Sequence, residues 1–209
     1  HTFQVIYKNL YSWYNYHEVI AMKHALRKKF LHIRNNLDTT YQIQATEKIF
    51  KTLEESDIFK NSQKIFIYIG FGSEIQTEYL IKKYINSKEI FAPKIVSSTM
   101  KLVKINAWAD LSVGHFNVLE PIQNDFYTEG IDLVITPSIV FDKNGYRLGY
   151  GRGYYDKYFN ENKYKTSIGL SFEKLLQEEI PTEKHDKNVD LIITEERIIV
   201  INEKHSSNY

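Results

Sequence analysis

Apolar residues recur at helical spacing across Lys23–Leu37, where Leu26, Phe30, Ile33 and Leu37 line one side. Ile43, Ile49, Phe50 and Leu53 do the same over Gln42–Phe59 and predict a second helix. The pattern then changes. Lys64–Phe71 (KIFIYIGF) is a short apolar run closed by a glycine-bounded turn, as a buried strand is, and Ile75–Ile85 returns to helical spacing. Glu89–Lys94 and Lys101–Ile105 read as strands, and so does the β-branched run Ile131–Pro137 (IDLVITP). A long loop through Gly149, Gly151 and Gly153 leads into a helix from about Tyr154. Lys165–Leu170, Asp190–Thr194 and Ile198–Ile201 are the last strands.

Strands alternating with helices predict an α/β fold: a mainly parallel or mixed central sheet flanked by helices, Rossmann-like with three layers. No repeat or linker interrupts residues 22–202, which are read as a single domain. Residues 1–21 form an aromatic-rich N-terminal extension of unassigned origin, without the basic start, apolar stretch and cleavage site of a signal peptide. It is expected to be dispensable, with Met22 a natural start, and the polar tail 203–209 is expected to fray.

Charge and composition narrow the function. The 209 residues carry a net charge of +1, so no global field draws the chain to nucleic acid or an anionic membrane. Any anion site must be local. There is no cysteine, which excludes disulfides and thiolate metal sites and fits a cytoplasmic location. No apolar run approaches the length of a membrane span. His24, His32, His115 and His185 lack paired metal-ligand spacing and read as surface or loop residues.

The most informative stretch is Asp142–Phe159 (DKNGYRLGYGRGYYDKYF). Alternating Gly149, Gly151 and Gly153 let a backbone approach a ligand closely, and successive N–H groups then form a concave anion site. The following helix adds its positive dipole end, and Arg147 and Arg152 supply planar, charge-assisted donors. This is chemistry for a polyphosphate or a transferring phosphoryl group. The spacing is neither a Walker loop nor the dinucleotide fingerprint. Read without function, the glycines are a tight connection, and Asp142-Lys-Asn-Gly145 is a turn.

Gly145-Tyr-Arg-Leu-Gly-Tyr-Gly-Arg-Gly-Tyr-Tyr-Asp156, preceded by DLVITPSIVFD, resembles the signature of the 5-formyltetrahydrofolate cyclo-ligases, also called methenyltetrahydrofolate synthetases. The resemblance runs from about Lys23 to about Thr194. It implies an enzyme that uses ATP, as its magnesium complex, to close 5-formyltetrahydrofolate into 5,10-methenyltetrahydrofolate; a monomer is expected, and the charge balance and lack of an apolar span argue against nucleic-acid and membrane partners. Arg147 and Arg152 are then catalytic. Lys23 and Arg27 match a Lys-x-x-x-Arg pair that contacts ATP phosphates, with Leu148, Gly149, Tyr150 and Gly151. Arg152, Gly153, Tyr154 and Tyr155 complete the ATP set, and Tyr150 to Tyr154 are shared with the folate. Arg152 stands where relatives often carry glycine or lysine.

Glu74 is either a first-turn carboxylate favoured by the helix dipole or, as the resemblance implies, a folate-pocket group facing pterin donors, with Ile69 in the apolar wall. Phe116 is either a loop aromatic capping the core or a ring packed on the pterin. Asp156 and Asp190 are the magnesium candidates, against a cap or strand-end role. Lys23, Arg27 and Arg34 form one basic stripe on the first helix; periodicity alone favours a solvated face, and Arg34 is read as surface. Two other functions compete: another small-molecule kinase or ATP-dependent ligase using the same loop, and an RNA-binding module in which Tyr154, Tyr155 and Tyr158 stack on bases beside Arg152.

Overall fold

The computed structural model describes residues 2–114 and 117–202, with side chains described from residue 17 onward. Helix α1 spans Thr2–Asn35. No proline or glycine occurs in residues 2–35, so nothing in the sequence breaks the helix before Lys23, where the apolar pattern begins. The stretch expected as one helix from Gln42 to Phe59 is two, α2 (Thr39–Glu55) and α3 (Asp57–Asn61). Ser56 makes the break: its hydroxyl donates to the Leu53 carbonyl and accepts from the Phe59 N–H, ending one helix and capping the next. Ser56→Ala is expected to cost about 1 kcal/mol, a fall of roughly 2–4 °C in Tm. A thermal melt checks this, and an unchanged midpoint would deny the cap any weight.

The remaining elements follow in chain order: β1 (Lys64–Ile67), α4 (Glu78–Tyr84), β2 (Glu89–Val96), β3 (Thr99–Ile105), β4 (Leu111–Val113), β5 (Leu119–Pro121), β6 (Phe126–Tyr127), β7 (Ile131–Thr136), β8 (Val140–Phe141), β9 (Arg147–Leu148), α5 (Tyr154–Glu161), β10 (Tyr164–Leu170), β11 (Leu191–Ile193) and β12 (Ile198–Val200). Eight strands form one sheet in the order β12-β11-β10-β7-β1-β2-β3-β6. The centre, β11-β10-β7-β1-β2, is parallel; β12, β3 and β6 pair antiparallel at the edges. The sheet is therefore mixed around a parallel core.

Alternation along the strands gives the sheet two apolar faces. Ile65, Ile67, Leu133, Ile135, Leu191 and Ile193 point one way and pack with Phe30, Ile49, Leu53, Phe59 and Ile81 from α1 to α4. Phe66, Phe91, Val134 and Ile192 point the other way and pack with Tyr158 and Phe159 of α5. Three layers result, with α5 alone among these helices on its face. Two hairpins lie outside the sheet, β4–β5 and β8–β9. Among the described residues, no helix is long and apolar enough to cross a membrane.

Candidate active site

From β1 the chain winds outward through β2 and β3, then returns to lay β7 on the opposite side of β1. Such a reversal opens a crevice beyond the carboxyl ends of parallel strands. A cleft of about 550 Å³ lies there, lined by Tyr68, Ile69 and Glu74 after β1, Pro137 and Ser138 after β7, and the glycine-rich loop.

The loop is delivered by β9, which the sequence reading had taken as part of a long connection. Strands of two residues carry no alternation, but the turn Asp142–Gly145 that closes the β8–β9 hairpin was legible. The fully buried Asp142 accepts from the N–H groups of Asn144 and Tyr146, and Gly145 takes φ +83°. Farther on, Gly151 and Gly153 have φ +90° and +64°. Gly153 precedes the first turn of α5 and swings the chain into it, so the helix's unpaired N–H groups open on the cleft.

Arg27 of α1 braces the loop by donating Nε to the Gly149 carbonyl at 2.8 Å. Lys23, one turn earlier, lines the same cleft but donates to Glu183 at 2.8 Å and Asp186 at 2.5 Å. Its charge is already matched by two carboxylates. Glu183, His185 and Asp186 could together offer three metal-ligand atoms within 4.8 Å of one another.

Arg147 departs from expectation. As a loop arginine it is a poor candidate for the core, yet its side chain is only 4% exposed. Its guanidinium donates to Asp156 Oδ1 at 3.0 Å and to the Lys187 carbonyl at 2.5 Å, and lies over the rings of Tyr155 and Phe159. Burial pulls its pKa down against the field of Asp156. The geometry is that of a brace at the cleft wall. Asp156 Oδ1 also accepts from the Lys187 N–H, so both bonds fall on one oxygen and Oδ2 makes no hydrogen bond among the described residues.

At the other end, burial raises the Glu74 carboxyl to a pKa of about 7, opposed by the Arg34 charge, the Phe71 N–H and the Tyr150 hydroxyl. Arg34 is not a surface residue: it is 2% exposed, and its charge is directed inward. Tyr150 packs its ring on Phe71 at 5.2 Å. Ile69, Pro93, Ile95 and Met100 supply an apolar wall. The hydroxyl of Tyr155, a residue that lines the cleft, is buried without a hydrogen-bond partner among the described residues. Phe116 lies outside the described residues.

The model of the 5-formyltetrahydrofolate cyclo-ligase family matches residues 19–195. The chain belongs to this family. It is 30% identical over 173 residues to a probable 5-formyltetrahydrofolate cyclo-ligase of Caenorhabditis elegans, covering 74% of this chain and 84% of that protein. The mouse 5-formyltetrahydrofolate cyclo-ligase is 29% identical, with 66% and 76% covered. Among solved structures, the 5,10-methenyltetrahydrofolate synthetase of Aquifex aeolicus superposes with a TM-score of 0.79 at 30% identity, covering 86% of this chain and 93% of that one. That of Mycoplasma pneumoniae gives 0.64 at 26% identity, with 83% and 98% covered.

Within this cyclo-ligase, Lys23, Arg27, Ile69, Glu74, Asp156 and all the loop candidates from Arg147 to Tyr155 meet at one cleft. Asp190 does not. It is buried, its Oδ2 accepts from the Ser167 N–H and hydroxyl at 2.9 and 3.0 Å, and Asn202 reaches Oδ1 at 3.0 Å. A strand brace explains those bonds, and Asp190 is set aside as a metal ligand. The stacking platform of the RNA reading is also missing: Tyr158 is buried, and Tyr155 stacks on Phe66 at 5.6 Å inside the fold. Sequence reasoning missed Glu183 and Asp186, which lie in an irregular acidic stretch whose only signal was its charge.

Proposed function

We propose that this chain converts 5-formyltetrahydrofolate to 5,10-methenyltetrahydrofolate with consumption of ATP and release of ADP and phosphate. One observation carries the reading: a single cleft has a glycine loop and helix N-terminus at one end and a buried carboxylate beside an apolar wall at the other. The first end suits a polyphosphate; the second suits a reduced pterin, whose ring N–H and amino groups are donors.

In this reading the formyl oxygen on N5 attacks the γ-phosphorus, a P–O bond forms, and ADP leaves. N10 then attacks the formyl carbon, the C–O bond breaks, phosphate departs, and N10 loses its proton as the methenyl bridge closes. The protein needs no nucleophile; it holds two substrates in line and balances charge. Arg27, Arg152 and the loop amides of Gly149–Gly153 serve the phosphates. A phosphate reaching Lys23 shares that ammonium with Glu183 and Asp186 or displaces them. Arg147 acts through Asp156, and Glu74, Ile69 and Tyr150 hold the folate.

Asp156 fits a hard divalent cation, since it lines the cleft with the phosphate loop and its Oδ2 makes no hydrogen bond among the described residues. Magnesium held there supplies charge neutralisation. Asp156→Asn is expected to raise the magnesium needed for half-maximal turnover by at least about tenfold. Asp190→Asn is expected to lower Tm and leave that requirement unchanged. Magnesium titrations of both variants decide, and equal shifts would return Asp190 to the metal set.

The same reading has the enzyme cytoplasmic, and active as a monomer because described residues of one chain line both parts of the cleft. The overall test is ADP release with and without 5-formyltetrahydrofolate, alongside the absorbance of the methenyl product. ADP release that ignores the folate would sink it in favour of another kinase or ligase.

A further inference from the structure

Arg34 makes three bonds to three separate segments. Nε donates to the Ser73 hydroxyl at 3.0 Å, Nη1 to the Ser138 carbonyl at 2.9 Å, and Nη2 to the Tyr150 hydroxyl at 2.7 Å. The residue is 2% exposed, so among the described residues the cost of burying its charge is met by these partners and by Glu74 nearby. Nothing in the phosphate chemistry uses it. Its three partners lie before Glu74, after β7, and in the glycine loop.

The third bond has a directional consequence. A tyrosine hydroxyl that accepts from an arginine must aim its own proton elsewhere. The Glu74 side chain lies beside the Tyr150 hydroxyl, and an ionised carboxylate there can only accept. Arg34 thus sets the direction in which the Tyr150 hydroxyl can donate, and Glu74 is the acceptor nearby. Tyr150 lies between Gly149 and Gly151 and Ser73 precedes Glu74, so Arg34 ties the phosphate loop to the pterin end of the cleft.

We propose that Arg34 is a positioning residue for folate: by holding the Tyr150 hydroxyl and Ser73 it orients Glu74 for the pterin. The proposal rests on the functional reading above. The groups facing Glu74 are Arg34 from α1, Tyr68 after β1, Tyr150 in the loop and Tyr155 of α5. Only Arg34 among them carries a charge near neutral pH. It favours the ionised carboxylate against burial.

The test measures KM for 5-formyltetrahydrofolate, KM for ATP, and kcat across pH for the full chain and for Arg34→Met, Arg34→Lys and Tyr150→Phe. Arg34→Met is expected to raise the folate KM about tenfold, the scale of one charge-assisted hydrogen bond, and leave the ATP KM within about twofold. The midpoint of the folate KM profile should move up by about one pH unit, because the carboxylate loses its cation. Arg34→Lys should restore the midpoint but only part of the KM, since lysine keeps the charge and loses the fork. The double variant with Tyr150→Phe should be little worse than Tyr150→Phe alone, as residues acting in series are not additive. A lower Tm with an unmoved folate KM and an unmoved midpoint would make Arg34 a structural brace and overturn the proposal. Where Arg34→Met does not fold, Arg34→Lys and Tyr150→Phe decide: an unchanged folate KM in both overturns it. Full-length protein that makes no methenyl product overturns the functional reading and this proposal with it, whereas active protein with unchanged variants overturns this proposal alone.

Discussion

Arg147→Ala is expected to lower Tm by roughly 10 °C and to lower turnover at low temperature by about tenfold. The first figure follows from burial. The side chain is 4% exposed and pairs with Asp156, so its removal leaves a partly buried carboxylate without its cation and a space between Tyr155 and Phe159. Breaking a buried pair from one side costs about 3–5 kcal/mol. The second figure follows from position, because Asp156 moves when its partner goes, and the loop's helix begins two residues earlier. The loss should shrink as magnesium is raised. Arg147→Lys should recover part of both effects, since lysine reaches one acceptor but not Asp156 and the Lys187 carbonyl together. Direct stabilisation of the phosphoryl group predicts something else: a turnover loss of about 10²–10³ at every magnesium concentration. Melting curves and magnesium titrations on one sample separate the two. Turnover near that of the unaltered protein with a depressed Tm would remove Arg147 from catalysis altogether.

Glu74→Gln is expected to stabilise the protein above neutral pH while it weakens folate use. Burial raises the carboxyl from 4.5 to about 7 in the folded state. A raised carboxyl favours folding in its protonated form, so its contribution is fully present below about pH 4.5 and is lost as pH rises through about 7. Above that the ionised group costs about 3 kcal/mol, the shift converted at 1.36 kcal/mol per unit. Glutamine does not titrate. At pH 8 its Tm should exceed that of the unaltered protein by roughly 6–12 °C, and at pH 5 the two should nearly coincide. Folate use should run the other way: the folate KM of the unaltered protein falls as pH rises through 7, whereas the glutamine variant shows a flat profile. Parallel Tm curves would mean that Glu74 is ionised without cost. Unchanged folate kinetics would remove it from the pocket.

The elements legible in the sequence were those whose signal is local. The strands at Lys64, Glu89 and Ile131 begin where their apolar runs begin, because a parallel strand buried on both faces has little room for polar residues. The glycine loop was legible because backbone freedom, guanidinium groups and a helix start fall within Arg147–Tyr155. Arg34 was not. Its residue type and place on a basic stripe argue for solvent, and what draws it inward is Ser73, Ser138 and Tyr150, far along the chain. Asp190 failed for the same reason in reverse: a carboxylate opening a strand looks available until Ser167 is seen to occupy it. Arg147 combines both cases: it lines the cleft, but its side chain is buried against Asp156 where a loop arginine argues for solvent.

The basic stripe of α1 also bears on how the protein is made. Its three cations find partners 160, 122 and 116 residues later, at Glu183, Gly149 and Tyr150. Contacts of such long separation form late, after the loops between them have closed. On the ribosome, α1 emerges before these partners and must wait with Lys23, Arg27 and Arg34 in water until they have followed. Both ends of the cleft therefore come into being together, in the last stage of folding. Nascent chains arrested before Gly149 should already bury their early helices and yet retain neither ATP nor folate, while release of the finished chain should bring both affinities at once.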